Sequence, residues 1–126
     1  MKTEDKELLL KDLCARLPYG VKLRFVEDLV VKKVAHTITM NNIYLEHIIN
    51  GDADIKPYLR PMSSMTAEEK LNYTWESLAC TVAAQKNPEI VTAYRTDFLN
   101  AHHLDFRGLI PMGLALEATE DMYKLD

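Results

Sequence analysis

Apolar residues change their spacing along this chain, and the change divides it in two. Between residues 4 and 17, Leu10, Leu13, Cys14 and Leu17 recur at helical spacing, the stripe of an amphipathic helix packing on another element. Thr3 supplies an N-cap, Glu4 and Asp5 place acidic charge in the first turn, and Pro18 ends the helix before a turn at Tyr19 and Gly20. From Val21 the period becomes two. Val21, Leu23 and Phe25 face one way and Lys22 and Arg24 the other, which predicts a half-exposed strand turning at Glu27 and Asp28. A second strand is predicted over residues 30–40, with Val30, Val34, Ile38 and Met40 opposite Lys33, Thr37 and Thr39. Asn41 and Asn42 suit a tight turn, a third strand is predicted over residues 43–49, and residues 50–52 close it. Three short strands with short turns read as an antiparallel meander whose apolar face the first helix covers.

Past residue 53 the helical period returns. Residues 54–65 carry Pro57 and Pro61; each fixes its own φ and pushes the preceding residue to extended geometry. That predicts an ordered connector, with Tyr58 and Leu59 docked between the two halves. Residues 66–69 (TAEE) match the capping box and predict a helix over about 67–84 that buries Leu71, Trp75, Leu78 and Val82. Asn87 followed by Pro88 starts another helix, to about residue 101, with Ile90, Val91, Tyr94 and Phe98 inward. His102 and His103, a loop over residues 105–113 with Gly108 and Gly113, and a short apolar tail complete the chain. The expectation is a single α+β domain over residues 1–126: helix plus meander in 1–53, proline-braced connector in 54–65, helical half in 66–126. A sheet of three strands is too small to stand alone, so one core shared by both halves is expected.

Composition narrows the class. At 126 residues the chain can bury a core without covalent staples, and its longest apolar runs of three residues fall far short of a bilayer span. The opening MKTED puts acidic residues where a signal peptide would begin its apolar stretch, so a cytoplasmic protein is expected, with no membrane partner. Cys14 and Cys80 lie among apolar residues in helix-like segments and are expected as buried free thiols. The net charge of −4 weakens a bulk electrostatic case for nucleic acid. It is unevenly spread: residues 1–60 hold ten basic and nine acidic side chains, residues 61–126 five and ten.

The densest reactive group is His102, His103, Asp105 and Arg107, the candidate ligand-binding residues. Imidazoles beside a carboxylate can bind zinc or move protons, and Arg107 can hold an anion. Adjacent histidines point apart, however, and this spacing is not that of a metal site. A helix C-terminus where histidine complements the macrodipole and the last carbonyls accounts for the same residues. No catalytic residue, metal or cofactor is assigned. Gly108 and Gly113 shape a turn rather than a phosphate loop, since no GK[ST] follows, and no GxSxG elbow is present. Lys22, Arg24 and Lys33 are the candidate nucleic-acid-binding residues, with Lys32 beside them; aromatic interleaving is thin, and lysine also blunts strand edges.

Three segments resemble a known group: residues 13–21 (LCARLPYGV), 55–66 (IKPYLRPMSSMT) and 100–115 (NAHHLDFRGLIPMGLA). They are similar to a family of small uncharacterised proteins from phages, prophages and mobile elements of gut anaerobic bacteria. The resemblance implies a cytoplasmic, phage-related setting and carries no assigned activity. The leading expectation is therefore a non-enzymatic binding or accessory protein of a phage or mobile element, acting on a host or phage macromolecule through a protein partner. A small enzyme or ligand-binding protein using the loop from His102 to Arg107 is the second reading. A nucleic-acid binder through the basic strand face is the third.

Overall fold

In the computed structural model, residues 3–28, 32–40, 54–84, 87–119 and 121–123 are described, and among them the chain is α+β, with three α-helices and a four-stranded mixed sheet. Helix α1 (Thr3–Arg16) has Glu4 and Asp5 in its first turn and buries Leu9, Asp12, Leu13 and Arg16. That face is rotated from the expected one: Leu10 and Leu17 are half-buried, and Cys14 is exposed rather than buried. The cause is an ion pair. Arg16 Nε donates to Asp12 Oδ2 at 2.9 Å with both side chains fully buried, so a charged i, i+4 pair occupies core positions that the apolar count assigned outward. The side chain of Cys80 lies outside the described residues. Pro18 sits in a 3₁₀ turn (Leu17–Tyr19), which Gly20 closes at φ 68°, its N–H on the Leu17 carbonyl.

Strand β1 (Lys22–Asp28) pairs antiparallel with β2 (Lys33–Thr39), from Lys22↔Thr39 to Asp28↔Lys33. Val21 and Leu23 are buried in the main core, with Phe25 half-buried against it. The expected turn at Glu27 and Asp28 falls inside β1, because register with Lys33 extends the strand through Asp28. The third expected strand, residues 43–49, lies outside the described residues, as do the turns at 41–42 and 50–52. The connector itself supplies a strand. β3 (Asp54–Leu59) pairs antiparallel with the other edge of β1, from Leu23↔Pro57 to Val26↔Asp54. The order is β2-β1-β3-β4, which puts the first strand in the middle. The two-residue β4 (Leu116–Glu117) runs parallel to β3 and pairs only with Tyr58 and Leu59, so Pro57 has no ladder partner on that side.

The C-terminal segment closes the core. Leu9, Leu13, Leu23, Ile55 and Leu59 pack with Leu109, Leu114 and Ala115. The segment is fastened along the end of β3: Ala118 N donates to Leu59 O, Arg60 N to His103 O, and Asp105 N to Arg60 O, each at 2.8 Å. Leu59 is buried and Tyr58 half-buried in that seam.

The two remaining helices form a hairpin with far less buried surface. At the start of α2 (Ala67–Ala84) both halves of the capping box are made: Glu69 N donates to Thr66 Oγ1 at 3.1 Å, and Thr66 N to Glu69 Oε1 at 2.9 Å. Asn87 caps α3 (Pro88–Ala101) by accepting from Glu89 N at 3.2 Å. The far end of α3 is anchored in a small cluster of Phe98, Leu99 and Leu104 with Met65, Tyr73 and Phe106 against it. Val91 and Tyr94 are half-buried, and Ile90 is exposed. The expected burial of α2's apolar stripe is overturned: Leu71 is 56% exposed, Trp75 63%, Leu78 53% and Val82 78%. Helix α2 meets its surroundings through the opposite side instead. There Tyr73 contacts Phe98 edge-on with centroids 5.3 Å apart, Ser77 is buried, and Glu69 binds Arg60. The Tyr94 hydroxyl also donates to Glu76 across the hairpin.

Candidate functional site

Helix α3 ends in a left-handed turn, and that turn decides where the four candidate loop residues go. His103 adopts φ 59°; its N–H reaches Asn100 O and the Leu104 N–H reaches Leu99 O, the paired bonds of a Schellman cap. The position usually taken by glycine is held by a histidine whose ring stacks on Tyr123 at 3.8 Å. His102 turns back along its own helix, stacked on Phe98 at 4.1 Å with Nδ1 2.9 Å from the Phe98 carbonyl. Asp105 accepts from Leu109 N at 2.8 Å and Ile110 N at 2.9 Å, tying the following loop so that Leu109 enters the core. Arg107 donates to Asp12 Oδ1 at 2.7 Å and Asn100 Oδ1 at 3.3 Å, with its guanidinium 4.2 Å above the Phe106 ring. The four side chains thus leave in four directions, each into a structural contact, and the structure does not gather them around one cavity.

Arg107 completes a buried triad with Asp12 and Arg16, whose Nη2 also donates to Leu104 O at 2.6 Å. The nearby His103 imidazole is 7% exposed, and burial, aided by Arg16, His102, Arg60 and Lys22, pushes its pKa down to about 4. It is therefore neutral at pH 7. Burial likewise pushes the Tyr123 hydroxyl up to about 12, where it donates to Tyr58 O at 2.6 Å and accepts from Lys22 N at 2.8 Å.

The basic strand face is partly engaged. Lys22 Nζ donates to Met122 O at 2.7 Å and lies 5.8 Å from the Tyr123 ring centroid, so it is held by the C-terminal segment. Arg24 is half-buried opposite Thr37 and Lys56, and the side chain of Lys33 lies outside the described residues.

A cavity of about 500 Å³ opens at the end of β3, lined by Arg60, Thr66, Glu69, Glu117, Thr119 and Tyr123 among others. Its strongest charges face each other: Arg60 grips both oxygens of Glu69, at 2.8 and 2.6 Å. Those bonds hold the Glu69 carboxyl down to about 2. The capping box pointed to Glu69 in the sequence, while nothing there linked it to Arg60 or to Tyr123. Among the described residues no group of three or more His, Cys, Asp or Glu is placed to hold a metal ion.

The outward stripe of α2 is the remaining feature, and it is long and regular. Leu71, Trp75, Leu78 and Val82 repeat at intervals of four, three and four, the a/d spacing of a helix seam. Sequence periodicity found these residues but assigned them to the interior. Comparison with protein-family models, curated proteins and solved structures finds no match in any of the three. No described helix is long and apolar enough to cross a membrane.

Proposed function

We propose that this chain is a non-catalytic binding or accessory protein of a phage or mobile element, working in the cytoplasm through protein–protein contact. The observation that carries this reading is the stripe on α2, four large apolar side chains each more than half exposed along one line. Soluble monomers rarely leave a contiguous apolar patch beyond a few hundred Å² in water, and larger ones mark contact surfaces. The loop from His102 to Arg107 supports the same reading from the other side, since its polar groups serve the helix cap, the loop and the Asp12 triad. The phage setting rests on the resemblance of residues 13–21, 55–66 and 100–115 to proteins of such elements.

The test is recovery of tagged protein from its native host, wild type beside Trp75→Glu. Polypeptides held by the wild type, untagged copies of the chain included, are expected to fall away from the variant while its far-UV circular dichroism stays unchanged. Equal recovery on both proteins would defeat the reading.

A further inference from the structure

We infer that the α2 stripe is the interface of a symmetric dimer, its occupant being α2 of a second copy of this chain laid antiparallel. The inference rests on reading the stripe as a protein contact surface and names what covers it. The intervals of four, three and four read the same in both directions. A two-fold axis between Trp75 and Leu78 therefore matches Leu71 with the partner's Val82 and Trp75 with the partner's Leu78, and the reverse on the other side. Each indole then packs on a leucine. A parallel pair would set the two indoles against each other.

Charge favours the same occupant. Asn72, Thr74 and Ala79 flank the stripe and carry none, while Glu69 and Glu76 are engaged on the opposite side by Arg60 and Tyr94. Glu68, exposed one turn before Leu71, is the described charge nearest the stripe. The antiparallel arrangement sets its two copies at opposite ends of the seam, so two copies of an acidic chain can meet here without like charges facing each other. Thr74 and Ala79 are also small, which suits helix axes 8–10 Å apart. The stripe offers on the order of 500 Å² per copy, so a symmetric pair buries about 1,000 Å², the lower threshold of a specific interface. A reversible dimer with a micromolar dissociation constant is the expected strength.

Trp75, the chain's one tryptophan, reports on the interface directly. Sedimentation velocity from about 1 μM to about 1 mM should show a monomer–dimer equilibrium, with Trp75 emission moving to the blue as the dimer fills. Leu71→Lys and Val82→Glu should each weaken the dimer about tenfold or more, because each puts a charge against an apolar partner. Combined in one chain they should restore it, since antiparallel pairing sets each introduced lysine beside the partner's introduced glutamate. Both positions are more than half exposed, so the fold survives either change. Single variants that dimerise like wild type would overturn the seam, and a double variant that fails to recover would overturn the antiparallel arrangement. A wild type monomeric throughout, with unmoved emission, would overturn the second copy as occupant. In that last case, loss of other host polypeptides with Trp75→Glu would keep the contact reading alive, and no loss would end both.

Discussion

The two ends of this molecule bury opposite things. Around α1 and the C-terminal segment the interior holds charge: Asp12 and Arg16 are fully buried, and Arg107 closes the triad over them. On the α2–α3 hairpin the surface holds grease, with Trp75 and its neighbours in water while Ser77 is buried on the facing side. The contrast separates two reasons for departing from an apolar-in, polar-out pattern. The buried charges are paired within the chain, Asp12 holding both Arg16 and Arg107, although Arg16 Nη1 is left without a hydrogen-bond partner. The exposed apolar stripe has no such counterpart among the described residues, which is the ground of the proposal that a partner covers it.

The largest expected effect lies at Asp12. Asp12→Ala leaves Arg16 and Arg107 facing each other around a vacated buried position, and should cost about 3–5 kcal/mol by urea unfolding. A loss below about 1 kcal/mol would mean that the triad is solvated and that the contrast is false. Replacing all three together, Asp12→Leu with Arg16→Met and Arg107→Met, should recover much of the loss if uncompensated charge is its cause.

The next effect is a pH dependence in the same region. His103 has its pKa lowered from the usual 6.5 to about 4 in the fold, so the unfolded chain takes up its proton first. Stability from this residue is complete above pH 6.5 and is lost as pH falls from there through about 4, by on the order of 2–3 kcal/mol. His103→Asn, a residue that tolerates the left-handed backbone, should flatten that slope in unfolding midpoints measured from pH 7 to pH 4. An unchanged slope would place the titrating group elsewhere.

What the sequence disclosed was local. The capping box at Thr66 and Glu69, the Asn87-Pro88 start, the β1–β2 pairing and the turn at Gly20 each follow from a few adjacent residues, and each is present. Features that depend on distant partners were not legible. The partners that meet the buried Asp12–Arg16 pair of α1 are distant, Arg107 lying 95 positions from Asp12 and Leu104 88 from Arg16, and the two residues of β4 have no periodicity to read. β3 hid behind Pro57, which argues against a strand until β4 is seen to stop short of it. The density of reactive groups from His102 to Arg107 was plain, but their roles are set by Asp12, Phe98 and Tyr123. For α2 the period identified a face correctly. Nothing in a period says whether the face meets its own chain or another.

A smaller effect sharpens the hairpin side. Thr66→Ala removes one half of the capping box and should cost about 1 kcal/mol, read as a lower urea midpoint with unchanged m. Glu69 keeps its bonds to Arg60, so the further loss expected as pH falls from 4.5 through about 2, where that carboxylate protonates, should persist in the variant.

The smallest expected change carries the comparison's other half. Leu78→Ala, measured at a concentration low enough to keep the protein monomeric, should alter stability by no more than about 0.5 kcal/mol. In a core position the same truncation of apolar contact would cost about 2–5 kcal/mol. Leu59→Ala, at a fully buried site in the seam with the C-terminal segment, supplies that reference within the same molecule. Similar losses at the two positions would mean that the stripe packs against this chain's own residues, and its role as a surface for a partner would fall. A large loss at Leu59 beside none at Leu78 means that the stripe is not packed within the monomer, which a surface reserved for association requires.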